Sequence, residues 1–149
     1  MDENVVINET KQYIVVKLDG EQYGIDISFI DNIVRMQQIT RVPKAQSYFA
    51  GVINLRGEII PVMSLRLRFG LPEKETTNST RIIIIKPENN AKIGILVDEV
   101  REVVSLEEED IEKAEYDELG INLLGVGKYK ETLISLLNIK AIISELENA

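Results

Sequence analysis

This 149-residue chain contains no cysteine, no histidine and no tryptophan. Without cysteine it has no thiol nucleophile and no disulfide framework, which sets it apart from small secreted scaffolds. Without histidine there is no Ser-His-Asp triad, and without either there is no zinc site of the usual ligand types. Long apolar runs are missing too. The longest aliphatic stretches, such as Ile82 to Ile85, are strand-sized and too short to span a bilayer. The opening Met1-Asp2-Glu3-Asn4 has no basic lead, and Val5-Val6-Ile7 is too short for the apolar core of a signal peptide. These absences point to a cytoplasmic chain with no membrane insertion, no metal and no cofactor.

What is present suits a folded domain. Apolar residues make up 44% of the chain, enough to bury a core and exclude disorder. The formal net charge is -8 from 17 Lys+Arg and 25 Asp+Glu. Residues 102–118 hold nine acids and one lysine, so that segment alone accounts for the imbalance and the remainder is neutral. Residues 31–71 carry Arg35, Arg41, Lys44, Arg56, Arg66 and Arg68 against only Asp31 and Glu58. The charge is therefore polarised, and the overall sign makes nucleic acid a poor partner. The acidic run lacks the alternating Asp/Asn ligands and the glycine of a calcium loop. Ser105 with Glu108 fits a capping box, and the segment reads as a solvated connector containing a short helix.

The chain also reads twice. Tyr13 to Leu18, the turn signal Asp19-Gly20 and Gln22 to Ile27 describe a hairpin. Arg81 to Lys86, the turn Pro87-Glu88-Asn89-Asn90 and Lys92 to Val97 describe a second. With Gly24 set on Gly94, an offset of 70 places Ile25, Ile27, Ile30, Ile33 and Val34 on Ile95, Val97, Val100, Val103 and Val104. At an offset of 74, Gly51-Val52 falls on Gly125-Val126 and Ile59-Ile60-Pro61-Val62 on Leu133-Ile134-Ser135-Leu136. Each unit ends in a capped helix. Ser64 precedes Leu65 to Phe69 with Gly70 as stop, and Asn138 precedes Ile139, Ile142, Ile143 and Leu146, whose spacing predicts an amphipathic helix packing on its own core. With 22 Ile and 13 Val, β-branched residues favour strands. The expected fold is mainly β: two small barrels in tandem, each closed to remove its edges.

Little in the chain points to catalysis. Gly125-Val126-Gly127 lacks the third glycine and following helix of a dinucleotide fingerprint, and Gly120 with Gly125 lacks the Lys-Ser/Thr of a P-loop. Asp98-Glu99 and the pair Asp26 and Asp31 offer carboxylates for acid–base work, but Asp98-Glu99 closes a strand and reads as a turn or cap. A non-enzyme is the expectation. The segment that stands out is Gly51-Val-Ile-Asn-Leu-Arg-Gly-Glu-Ile-Ile-Pro-Val62, a hairpin whose tip carries Arg56 beside Gly57. Arg56 is either a solvated tip charge or a recognition group able to fork two bonds to one acceptor. Ile27 and Ile30 are likewise open to two readings, plain core or an exposed apolar partner patch.

That segment, preceded by Ile39-Thr-Arg-Val-Pro43 and Tyr23-Gly-Ile-Asp-Ile27 and followed by Ile93-Gly-Ile-Leu-Val-Asp-Glu-Val100, resembles the CheW family of chemotaxis coupling proteins from about Lys11 to Leu146. The resemblance implies two packed, SH3-like five-stranded barrel lobes with short helices and a C-terminal helix. It implies one CheW-like domain over 1–149, with lobe one at about 11–71, lobe two at about 80–147 and strand exchange between them left open. Its implied function is a non-catalytic adaptor holding the histidine kinase CheA to the cytoplasmic tips of methyl-accepting chemoreceptors in membrane-associated arrays. The alternative is a stand-alone module serving another two-component kinase. The resemblance further implies that Arg56 and Asn32 face the receptor, while Ile27, Ile30 and Ile33 face the regulatory domain of the kinase. The family often has an acid where Asn32 stands, so any salt bridge made by that acid is missing here.

Overall fold

The computed structural model describes residues 10–43, 46–87, 92–114 and 123–147. Its strands are β1 (Lys11–Leu18), β2 (Glu21–Asp26), β3 (Ile30–Arg35), β4 (Phe49–Leu55), β5 (Glu58–Ser64), β6 (Arg81–Ile85), β7 (Ile93–Val97), β8 (Glu99–Leu106), β9 (Ile111–Lys113), β10 (Leu123–Tyr129) and β11 (Thr132–Leu137). Helix α1 (Leu65–Arg68) follows β5, and α2 (Ile139–Glu147) follows β11. Both helices start as their caps dictate. Ser64 Oγ accepts from the Leu67 amide at 3.2 Å, and Asn138 Oδ1 accepts from Ala141 at 3.1 Å. Of the expected turn after β6, residues 88–90 lie outside the described residues.

The strands form two sheets, one in the order β8-β1-β2-β11-β10-β9 and the other in the order β3-β6-β7-β5-β4. Each sheet draws strands from both halves of the chain, so its membership does not follow the contiguous bounds 11–71 and 80–147. The swap is reciprocal. β5 of the first unit runs parallel to β7 of the second, with Val62 opposite Gly94. β11 of the second runs parallel to β2 of the first, with Leu136 opposite Gly24. Under the sequence repeat these two pairs are equivalent, and so are β1–β8 and β6–β3. Even the irregularities correspond, because the ladder skips Arg101 in one pair and Asp31 in the other. The fold is thus two SH3-like lobes related by a pseudo-two-fold.

Two details differ from the expected closed, five-stranded barrels. One lobe has a sixth strand, β9, whose counterpart in the other is a single bridge between Thr40 and Val52. Neither hydrogen-bond ladder among the described residues closes on itself.

Burial explains the β-branched runs. Each lobe has its own interior: Tyr13, Val15, Val104, Leu106, Ile134 and Leu136 in one, and Ile53, Ile60, Val62, Ile82 and Ile84 in the other. A third and larger core lies between the lobes and takes the alternate residues of the same strands, Ile14, Val16 and Leu18 from β1 with Ile83 and Ile85 from β6. Both strands are therefore covered on both faces, and they read as unbroken apolar runs instead of alternating ones. The close packing around β7 and β2 demands glycine. A Cβ on Gly94 would lie 2.9 Å from Ile82 Cγ2, and one on Gly24 2.8 Å from Leu136 Cδ2.

Helix α2 departs from expectation. Ile139, Ile142 and Ile143 pack into the inter-lobe core and not into a core of their own lobe. Leu146, the fourth position of that pattern, lies outside the described side chains. The acidic segment is more ordered than a connector. Residues 102–106 belong to β8, paired with β1, because Val104 and Leu106 supply inward positions of a lobe interior. The one-turn helix is Glu108–Asp110, and its cap uses Asp110 Oδ2, which accepts from the Glu107 amide at 2.9 Å, in place of Ser105 and Glu108. Residues 115–118 lie outside the described residues.

Candidate functional site

The hairpin joining β4 to β5 reverses in two residues, with Leu55 opposite Glu58. Both tip residues are left-handed, Arg56 at φ 54° and Gly57 at φ 86°. That geometry matches the right-handed twist of the flanking strands. Asn54 Oδ1 accepts from the Gly57 amide at 2.9 Å and braces the turn. Glycine adopts such a backbone freely, but a residue with a Cβ loses about 1–2 kcal/mol there. Arg56 is also exposed and makes no ion pair among the described residues. A long cation is thus held in a left-handed tip position with no ion-pair partner among the described residues.

Charged groups surround the base of this hairpin. Lys92, at the entry to β7, places its Nζ 3.4 Å from Asp31 Oδ2 and 3.5 Å from Glu58 Oε1. Asp31 is the residue skipped at the bulge of β3, and Glu58 stands two residues beyond Arg56. The Asp31 carboxylate, with that of Glu58, raises the affinity of the Lys92 amine for its proton. Asn32, next to the bulge, is half-buried and uses Oδ1 to accept from the Ile33 amide at 2.8 Å. Thus the acid on this stretch is Asp31, and it is bound through Lys92. Sequence reasoning did not single out Lys92, since nothing local marks a lysine that bridges β3 and β5.

The second feature is the seam between the lobes. Ile27, in the one-turn 3₁₀ helix Ile27–Phe29, is 38% exposed. Ile30 and Ile33 on β3 are half-buried and pack on the margin of the inter-lobe core, as does Val100 on β8. Val103, the repeat counterpart of Ile33, is 47% exposed and lies opposite Ile14 in the β1–β8 register. These residues are neither fully core nor free surface. They form apolar edges where the two lobes meet.

A buried clasp holds the lobes together close by. The Arg66 side chain, 10% exposed, donates from Nη1 to Asp19 Oδ1 at 2.6 Å and to Asp98 Oδ2 at 2.7 Å. Its Nε donates to the Pro72 carbonyl at 2.9 Å. Asp19 sits in the β1–β2 turn of one lobe, Arg66 on α1 of the other, and Asp98 where β7 crosses into β8. The hydrogen bond from Arg66 holds the Asp19 carboxyl below the ordinary aspartate range. The turn expected at Asp98 is therefore an ion-pair site. The sequence showed Arg66 only as one of several basic residues. Among the described residues no group of three acids, histidines or cysteines is placed to hold a metal ion.

A family model described as a CheW-like domain matches residues 12–147. The chain belongs to the CheW-like family. It is 34% identical over 142 residues to the chemotaxis protein CheW of Bacillus subtilis, covering 93% of this chain and 90% of that protein. The chemotaxis protein CheW of Helicobacter pylori is 32% identical over 139 residues, covering 92% and 84% of the two chains. Among solved structures, the scaffolding protein TtCheW of Thermoanaerobacter tengcongensis superposes with a TM-score of 0.80 at 32% identity, covering 87% of this chain and 90% of that one. This is a family of scaffold and adaptor proteins, and the CheW-like domain spans all the features described above.

Proposed function

We propose that this chain is a non-catalytic chemotaxis adaptor that couples the histidine kinase CheA to the cytoplasmic tips of chemoreceptors. The CheW-like match across residues 12–147 carries this reading. No helix among the described residues is long and apolar enough to cross a membrane, so association with receptor arrays runs through partners. In this reading Arg56 supplies a charged contact to the receptor, and Asn32 on β3 is the second residue that faces it. The resemblance assigns Ile27, Ile30 and Ile33 to the kinase. Their place on the seam, with Val100 on the same core margin, favours a second assignment, to the apolar face of a receptor helical hairpin. Replacing Ile30 by Glu and measuring affinity for each partner separates the two.

The adaptor reading is tested by reconstitution of the purified chain with CheA and a receptor cytoplasmic fragment. Adding the chain is expected to raise kinase autophosphorylation in the presence of receptor. No rise refutes the reading.

A further inference from the structure

Lys92 lies beside the candidate receptor contact, yet it makes no contact of that kind itself. Its amine joins Asp31 on β3 to Glu58 at the start of β5, and the three side chains are all partly shielded from water. Glu58 is the carboxylate nearest in sequence to Arg56, separated from it only by Gly57. An exposed arginine two residues from an acid across a tight turn has an intramolecular partner within reach. Here Arg56 takes none among the described residues, and Glu58 is engaged by Lys92 instead.

We propose that Lys92 is a positioning residue of the receptor contact: by holding Glu58 and Asp31 it keeps the Arg56 guanidinium open to a carboxylate of the partner. The proposal rests on the reading that the Arg56 hairpin meets the receptor. Lys92 acts by occupying the acid that otherwise competes for Arg56, so the partner's carboxylate meets a cation not engaged by Glu58. Lys92 and both acids are only partly buried, and pairs of that kind contribute little to folding. Its loss is therefore felt at the contact more than in stability.

The test measures binding of a receptor cytoplasmic hairpin fragment to the full chain and to the variants Arg56→Ala, Lys92→Met, Lys92→Arg, Glu58→Gln and Lys92→Met/Glu58→Gln. Lys92→Met is expected to weaken binding about fivefold to tenfold, within what one charged contact supplies, with little change in thermal midpoint. Lys92→Arg restores binding. Glu58→Gln alone binds like the parent, and in the Lys92→Met background it recovers most of the loss, which a purely structural lysine does not predict. If Arg56→Ala weakens binding and Lys92→Met does not, the role of Lys92 is overturned while the hairpin reading stands. If Arg56→Ala has no effect, the hairpin reading falls and the role of Lys92 with it. A Lys92→Met loss that Glu58→Gln leaves uncorrected, or that comes with a core-sized drop in thermal midpoint, also overturns it.

Discussion

Replacing Arg66 by Met keeps an unbranched apolar stem and removes the guanidinium, so it tests whether the buried clasp orders the lobes. In the intact protein one Nη1 serves both Asp19 and Asp98, while Nε satisfies the Pro72 carbonyl. After the change Asp98, whose side chain is only 16% exposed, is a shielded carboxylate with no counter-charge. Deleting one member of a buried pair costs about 3–5 kcal/mol, because the orphaned charge remains desolvated. The Asp19 side chain is 42% exposed, so water recovers its share and the total belongs at the low end, about 3 kcal/mol. In a chain of this length that lowers the thermal midpoint by about 6–12 °C. Urea unfolding followed by far-ultraviolet circular dichroism measures the loss directly. A second prediction is coupling. Arg66→Met/Asp98→Asn is expected to be less destabilised than the sum of its single changes, since the second substitution removes the stranded charge. A loss below about 1 kcal/mol for Arg66→Met, or strict additivity in the double variant, refutes a buried, energetically coupled clasp.

Three further outcomes follow from the same geometry. Arg56→Asn places a residue tolerant of the left-handed region at the hairpin tip, so it is expected to raise stability by up to about 1 kcal/mol while weakening receptor coupling; a fall in the urea midpoint contradicts strain at that position. Gly94→Ala forces a Cβ against Ile82 and Val62 and is expected to cost about 1–3 kcal/mol; an unchanged midpoint contradicts the close packing of β6 and β5 side chains over β7. The depressed Asp19 carboxyl binds its proton more readily in the unfolded chain. Its stabilising contribution is therefore complete above the ordinary aspartate range and declines as pH falls below about 4. Titrating stability from pH 6 to 3 should show a steeper acid loss in the parent than in Arg66→Met, and parallel curves count against the Arg66–Asp19 pair.

How much of this was legible depended on how local the cause was. The hairpins at Asp19-Gly20 and Arg56-Gly57 were readable, because turn chemistry and flanking apolar strands sit within a few residues of each other. The repeat was readable too, anchored on Gly24 and Gly94, whose purpose became clear only when the facing strands came into view. Which strands pair across the repeat was not readable. β1 and β6 are apolar on both faces, so their sequences give no alternation to say which side faces a lobe interior and which the inter-lobe core. The parallel pairs β5–β7 and β2–β11 join residues far apart in the chain, with no turn to set their register. The same distance concealed the Arg66 clasp and the Lys92 bridge, since each joins groups on three separate elements.

The pseudo-two-fold poses a problem that charge resolves. Arg56 has Lys130 as its repeat counterpart, also left-handed at φ 57°, and the exposed Ile59 on β5 has the exposed Leu133 on β11. By shape and apolar content the two hairpin ends are near-equivalent, so a partner that read only those would bind either end. Their surroundings differ. Lys130 is followed by Glu131 and, with Lys128, shares its surface with Glu109, Asp110 and Glu112. Arg56 lies in the sequence stretch where Arg35, Arg41 and Arg68 outnumber the acids, and the carboxylate nearest it in sequence, Glu58, is paired with Lys92. A difference in charged neighbours between equivalent corners is what lets a charged partner tell them apart. The clasp follows the same logic, since the repeat counterparts of Arg66 and Asp98 are the exposed Lys140 and Ser28, which form no ion pair among the described residues. Duplication supplies two similar lobes, and a small set of charged residues makes their ends distinguishable to a partner.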